Sequence, residues 1–252
     1  MCGGKKLAII ILLEASASAA ARFEPDLRLR PQRARGEAVV VTPIAGKQVK
    51  IVATFPKIVK RQASTSIVFS GDNIIVFDAG LPPQANYLVN HALPSIGVSA
   101  RQVTHVVKSS DRFEHGANSA RFCNAKVYSS IHEYDSVKEL SKIGTLDPND
   151  MSKAFPIDDN VKLILTPTVS ATDLTLIVSN TKGMGVVALV GDLWFDSGDI
   201  VTKANPAIYI SQASVDAQKR VVCDHGVNWI VPGHGKAFKV TPELKKRYKC
   251  EE

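Results

Sequence analysis

Residues 103–118 decide the fold of this chain, and they read VTHVVKSSDRFEHGAN. The opening run is β-branched and apolar apart from one histidine, which predicts a buried strand over residues 103–107. The loop after this strand carries Arg112, Glu114 and His115 close together. Carboxylate and imidazole groups that converge at a strand end are typical of a metal site.

Two later stretches also place a polar residue directly after a strand-like run. Residues 189–192 read LVGD, and residues 230–235 read IVPGHG. Taken alone, Asp192 after a glycine also suits a turn, and His115 also suits a helix cap or a packed position. His234 is the more specific signal, because a histidine between two glycines after a buried strand lies on a loop.

Taken together over residues 66–240, these stretches resemble the metallo-β-lactamase superfamily. Further blocks that carry the resemblance are residues 76–80 (VFDAG), 126–130 (KVYSS), 166–167 (TP) and 231–238 (VPGHGKAF). The resemblance implies an α/β fold, the four-layer αββα sandwich, with its site at the strand ends. It also implies a zinc-dependent hydrolase, and it is strongest to a branch with endoribonuclease activity on histone pre-mRNA.

The family uses two metal subsites, and this chain matches them unequally. At the second subsite, Glu114 stands where the family has Asp, and His115, Asp192 and His234 match. At the first, the three histidine positions hold Ser110, Arg112 and Val169. Asp78 matches a position that contacts a ligand residue rather than the metal, although a turn carboxylate at a strand end is the other interpretation.

The changes at the first subsite predict that it is lost. Valine has no lone pair, serine is a weak neutral ligand and arginine stays protonated. We expect one zinc or iron ion at most, held by Glu114, His115, Asp192 and His234, or none. The Arg112 guanidinium is predicted to replace the charge of the first zinc by pairing with Asp192 and Glu114.

Three functions follow from this pattern. The first is a catalytically impaired or inactive homologue that acts by binding a small-molecule or anionic ligand. The second is a mononuclear hydrolase of a phosphodiester or ester, with Asp192 and Arg112 as its catalytic groups. The third, nucleic-acid binding through the arginines of residues 22–35, is disfavoured by a signal-like N-terminus. The resemblance also implies a homodimer.

The N-terminal part of the 252 residues differs in composition from the rest. Residues 1–61 carry 12 Lys/Arg against 4 Asp/Glu, whereas residues 62–252 carry 19 against 20. Residues 1–21 combine two lysines, a short apolar run and small residues, which predicts a signal peptide and a secreted or ER-lumenal protein. If they are not a signal, the protein is cytosolic. Residues 22–61 are interpreted as a basic lead-in and residues 62–252 as the metallo-β-lactamase-like domain, with no membrane span.

Several local sequence patterns predict further features of the fold. Residues 66–69 and 74–77 predict a hairpin, and residues 84–93 predict a helix that stops near Pro94. Cys123 and Cys223 are interpreted as small core residues. The remaining histidines match no ligand position and are interpreted as structural: His91, His105, His132 and His225.

Overall fold

Two β-sheets and their covering helices form the body of the protein in a computed structural model. The structure describes residues 39–44, 47–51, 58–135, 141–147, 149–181, 183–197 and 211–250. The predicted signal peptide and the arginine-rich residues 22–35 lie outside these ranges.

The larger sheet has seven strands in the order β1-β4-β5-β6-β7-β8-β9. β5 and β6 are parallel, as are β6 and β7, and the other neighbours are antiparallel. The predicted hairpin is confirmed, since Ser70 pairs with Asn73 across its turn. The strands are β1 (Val39–Ile44), β4 (Thr65–Ser70), β5 (Asn73–Phe77), β6 (His105–Lys108), β7 (Lys126–Ser129), β8 (His132–Tyr134) and β9 (Ser141–Lys142).

The smaller sheet has six strands in the order β10-β11-β12-β13-β14-β15, and only β13 and β14 are parallel. Its strands are β10 (Ala154–Pro156), β11 (Val161–Leu165), β12 (Leu174–Thr181), β13 (Gly185–Leu189), β14 (Trp229–Val231) and β15 (Phe238–Lys239). A separate antiparallel hairpin joins β2 (Lys47–Ile51) and β3 (Ile58–Gln62).

Both faces of the smaller sheet are covered, which explains its nearly continuous apolar strands. Along β13, Val187 and Leu189 pack into a core shared with the larger sheet, whereas Ala188 packs into a second core on the opposite face. This alternation follows from the two-residue period of a strand. The second core is completed by α4 (Ser211–Asp224) and α5 (Pro242–Arg247). The arrangement is the predicted α/β sandwich.

The helical segment beside the first core differs from the prediction. It comprises α1 (Pro82–Tyr87), a π-helical stretch Leu88–Ala92 and α2 (Leu93–Ser95). Pro94 does not stop it, because the Leu93 N–H donates to Leu88 O in the wider register and Pro94 then falls in the first turn of α2. A short helix, α3 (Phe113–Gly116), follows the loop after β6.

The cysteine interpretation was wrong at two positions. Cys123 is exposed, and Cys223 at the end of α4 forms a disulfide with Cys250. The sequence offered no pairing signal, because the contact depends on how α5 packs beside α4.

The position of β1 bears on the N-terminal boundary of the domain. β1 is an edge strand of the larger sheet although it precedes residue 62, where the domain was expected to begin; the boundary stays a prediction. Within the described ranges, every helix is too short or too polar to cross a bilayer.

Candidate metal centre

The candidate site lies where several strand ends meet. β5 and β6 are parallel, and so are β13 and β14, so within each pair the carboxyl ends lie at the same edge. The polar residues follow those ends: Asp78 after β5, the loop 109–115 after β6, Asp192 after β13 and His234 after β14. A hydrogen bond from the Leu174 N–H to Ser109 O joins the two sheets at this edge.

Three of the predicted metal ligands come together. One ligand atom from each of His115, Asp192 and His234 lies within 4.8 Å of the other two, and all three residues are buried. Asp192 Oδ1 lies between the two imidazoles, 3.2 Å from His115 Nε2 and 2.9 Å from His234 Nε2. The ring of Phe195 stacks on His234 with centroids 4.7 Å apart, which fixes the plane of that imidazole.

Asp78 supports His115 from the side opposite Asp192. Its Oδ2 lies 2.8 Å from His115 Nδ1 and accepts a 2.7 Å hydrogen bond from the Ser109 hydroxyl. Its Oδ1 accepts from the Ser109 N–H at 2.8 Å. Asp78 thus contacts His115, and carboxylates orient metal-binding histidines in this way in other proteins. Its role in supporting a metal ligand stays a prediction.

Arg112 reaches into the same cluster from the loop before α3. Its Nη1 donates to Asp192 Oδ2 at 3.2 Å and lies 4.0 Å from Glu114 Oε1. This is the pairing that the sequence predicted for the guanidinium. Glu114 is not one of the three residues whose ligand atoms converge, and its metal-binding role stays a prediction.

The buried charges shift one another's protonation. Burial alone would lower the pKa of His115, but the carboxylates of Asp78 and Asp192 outweigh it and hold that pKa well above its ordinary value. Burial alone would raise the pKa of Asp192, but His115 and His234 hold it well below its ordinary value. The carboxylates and imidazoles of the cluster therefore partly compensate one another's charges.

The converging donor set suits a single transition-metal ion. His115 Nε2 is buried and, among the described residues, has no aligned hydrogen-bond partner, although Asp192 Oδ1 is near. Two imidazole nitrogens and a carboxylate oxygen suit zinc or another transition metal. The positions predicted for the first subsite offer no such set, because Arg112 is a cation, Val169 has no donor atom and the Ser110 hydroxyl is neutral.

Two glycines allow the loops to approach each other. Gly191 has φ +51°, and a Cβ atom there would collide with the Ser109 side chain. A Cβ on Gly233 would lie 2.6 Å from Gly191 O. The backbone of His234 is then fixed by hydrogen bonds from Gly233 N to Trp194 O and from His234 N to Phe195 O, at 2.9 and 2.8 Å.

Sequence reasoning missed three residues that shape the site. Ser109 bonds to Asp78, and Asn118 donates to the carbonyls of Ala79, Gly80 and Leu81 and so holds the loop after β5. Asp173 accepts from the N–H groups of Val169 and Ser170 and shapes the loop after β11. Their residue types are common in turns, so the sequence carried no signal of these distant partners. Of the histidines interpreted as structural, none belongs to the cluster found in the described ranges.

Comparisons with known proteins agree with the fold. No family model matches the chain. It is 28% identical over 199 residues to an uncharacterised protein of Caenorhabditis elegans, covering 75% of this chain and 51% of that protein. It is 26% identical over 184 residues to metallo-β-lactamase domain-containing protein 1 of Xenopus laevis, covering 71% and 74%. The chain thus spans about half the length of the nematode relative.

Solved structures show the same architecture. A Thermotoga maritima protein assigned to the metallo-β-lactamases aligns with a TM-score of 0.61 at 18% identity, covering 81% of this chain and 100% of that one. A quorum-quenching N-acyl homoserine lactone lactonase aligns with a TM-score of 0.52 at 13% identity, covering 79% and 91%. At these identities the likeness establishes the fold.

Proposed function

We infer that the chain belongs to the metallo-β-lactamase superfamily, and we propose that it binds a ligand at a site in which Arg112 has replaced the first metal ion. The protein then holds one ion at most. It acts by binding rather than by two-metal hydrolysis.

The proposal rests on one observation: the two oxygens of the Asp192 carboxylate contact different partners. Oδ1 faces the two imidazoles of His115 and His234, at 3.2 and 2.9 Å. Oδ2 faces the guanidinium of Arg112, at 3.2 Å. A carboxylate that bridges two metal ions would use its two oxygens in the same divided way. Here a fixed organic cation stands on one side, which supports replacement of the first ion by Arg112.

The replacement argues against two-metal chemistry. In a dinuclear hydrolase the two ions together stabilise the attacking and leaving oxygens. A permanent cation beside Asp192 repels a second divalent ion, and arginine cannot give up its proton to relieve that repulsion. We therefore do not propose cleavage of histone pre-mRNA, which the sequence resemblance implied.

A mononuclear hydrolase is the second candidate, and one observation favours it. His115 Nε2 is buried without an aligned hydrogen-bond partner in the described part of the chain, and it points toward the other two ligand atoms. Such a nitrogen costs free energy unless something binds it. A single zinc or iron ion there would supply a Lewis acid and an acidified water.

Metal stoichiometry tests both candidates. The chain is purified without chelators, and zinc and iron are counted per chain by elemental analysis. The same count is made on a triple variant, Ser110→His, Arg112→His, Val169→His, which restores the predicted first subsite. The matched control is Ser110→Ala, Arg112→Ala, Val169→Ala, which removes the arginine without adding ligands.

We expect one ion or none in the native chain, one more ion in the histidine variant than in the native chain, and no such gain in the alanine control. A count near zero in the native chain supports the binding protein, and one tightly held ion supports the mononuclear hydrolase. Two ions in the native chain would overturn the proposal. So would a folded histidine variant that gains none.

A further inference from the structure

We propose that the ligand of this site is a small monocarboxylate that carries an apolar group, with its carboxylate on Arg112 and its apolar group on Phe113. This inference rests on the proposed function, because it needs Arg112 to be a binding group rather than a neighbour of two metal ions. It adds the chemical class of the ligand and a residue that selects for it.

Arg112 has unused donors. A guanidinium offers five N–H groups in a planar fork. In the described part of the chain, only Nη1 has partners, namely Asp192 at 3.2 Å and Glu114 at 4.0 Å. The side chain is 24% exposed, so solvent and small solutes reach it. The remaining edge of the fork matches a planar carboxylate, which it can bind through two parallel hydrogen bonds.

The charges around Arg112 favour a ligand of low charge. The carboxylates of Asp192 and Glu114 already lie 3.2 and 4.0 Å from the guanidinium nitrogen. The Glu114 side chain is 17% exposed and faces the same solvent. A ligand with several negative charges, such as a nucleic acid, would be repelled by both. A single carboxylate gains the two hydrogen bonds at the lowest electrostatic cost.

Phe113 supplies the apolar contact. It directly follows Arg112 at the start of α3, so the two Cα atoms are about 3.8 Å apart. Its side chain is 65% exposed, more than Tyr87 or Tyr134, which are the other large exposed apolar residues in the described ranges. The exposed ring, one residue from Arg112, is therefore available for an aromatic or aliphatic group to pack against.

The experiment compares three probes by isothermal titration calorimetry on the full chain, with its metal content counted beforehand. The probes are 4-phenylbutyrate, butyrate and 4-phenylbutanol, which separate the carboxylate from the apolar group. The variants are Phe113→Ala and Arg112→Gln. Tyr134→Ala is the matched control, because it removes an exposed aromatic ring from β8 instead of from the site.

We expect native affinity to fall in the order 4-phenylbutyrate, butyrate, 4-phenylbutanol. Phe113→Ala should weaken 4-phenylbutyrate by about 3- to 10-fold and leave butyrate unchanged. Arg112→Gln should weaken both acids by at least about 10-fold. Tyr134→Ala should change neither.

The outcomes that overturn the inference also separate it from the proposed function. If Arg112→Gln weakens both acids while Phe113→Ala has no effect, the apolar half is wrong and anion binding at Arg112 stands. If no acid binds, or Arg112→Gln changes nothing, both halves of the inference are wrong, whereas the proposed function is decided separately by the metal count. If Phe113→Ala instead dissociates a dimer and leaves the probes unaffected, Phe113 is an interface residue and the inference is overturned.

Discussion

Asp78 holds the candidate site in place although it is not itself one of the three converging ligands. It is fully buried and has φ +57°, a left-handed conformation that costs free energy in a residue with a Cβ atom. The conformation is maintained because both carboxylate oxygens are used, one by the Ser109 N–H and the other by the Ser109 hydroxyl and His115 Nδ1. Loss of the charge at Asp78 would therefore affect three buried groups at once.

We predict that Asp78→Asn lowers the free energy of unfolding by about 2–4 kcal/mol, because a buried charged partner of His115 is removed. Urea denaturation followed by circular dichroism measures the change. Asp159→Asn, at an exposed position of the loop before β11, is the control and should shift stability by less than about 0.5 kcal/mol. A loss below about 1 kcal/mol at Asp78 would contradict the structural role.

At the residue scale, sequence reasoning found the groups with distinctive chemistry and missed those with common chemistry. His115, Asp192 and His234 were predicted because they match metal-ligand positions of the family that the chain resembles, and the structure brings them together. Ser109 was not predicted, because a serine in a loop is ordinary. Its importance comes from Asp78, 31 positions away. Such contacts depend on the packing of β5 against β6 and leave no local signal.

At the element scale, strands were easier to predict than the helical segment at residues 82–95. β-branched runs bounded by turn residues predicted the β4–β5 hairpin, and the apolar run at residues 103–107 predicted a strand that overlaps β6. The π-helical stretch Leu88–Ala92 was not predictable, since its wider register comes from packing of Leu88 and Leu93 into the core rather than from local preference. β15 and α5 were also missed, because both depend on contacts with the smaller sheet.

The disulfide between Cys223 and Cys250 joins the end of α4 to the segment after α5. The bonded residues are 27 positions apart, and a loop of that length stabilises a protein by about 3–4 kcal/mol through its effect on the unfolded chain. We predict that Cys223→Ala with Cys250→Ala loses about that amount in urea denaturation. Cys123→Ser, at an exposed free thiol, is the control and should lose almost nothing.

An equal stability of the double variant and the native chain would show that the bond contributes nothing in solution. The same bond bears on the compartment, because structural disulfides are typical of secreted and ER proteins. That compartment stays a prediction. Non-reducing mass spectrometry of the protein taken from its own cells, with N-terminal sequencing, tests it: a reduced Cys223 and an intact residue 1 would contradict secretion.

At the scale of the whole molecule, hydrogen bonds at the site connect the two sheets. Ser64 N donates to Gly233 O at 2.6 Å and Leu174 N, in β12, donates to Ser109 O at 2.8 Å, so residues of each sheet bond to residues of the other. Away from the site, Asp158 accepts from the side chains of Ser70 and Asn73 and makes a second connection. We infer that the two sheets unfold together. A change in the protonation of one ionisable group therefore changes the free energy of unfolding of the whole protein.

The partly buried His105 at the start of β6 makes that stability depend on pH. Burial, with a smaller contribution from Lys126, lowers the pKa of His105 from 6.5 to about 4. Between pH 6.5 and pH 4, His105 is protonated in the unfolded chain but stays neutral in the folded protein. The contribution of His105 to stability is therefore complete above pH 6.5 and is lost as the pH falls toward 4. The loss over that window is about 3 kcal/mol.

We therefore predict that His105→Gln reduces the loss of unfolding free energy between pH 7 and pH 4 by about 2–3 kcal/mol. Urea denaturation at half-unit steps of pH measures the slope for each protein. His91→Gln, at an exposed position in the π-helical stretch, is the matched control and should keep the native slope. If His105→Gln also keeps that slope, acid destabilisation arises elsewhere. In that case His105 must be solvated in solution, and the packing of its ring beside Tyr128, with centroids 5.8 Å apart, must open readily.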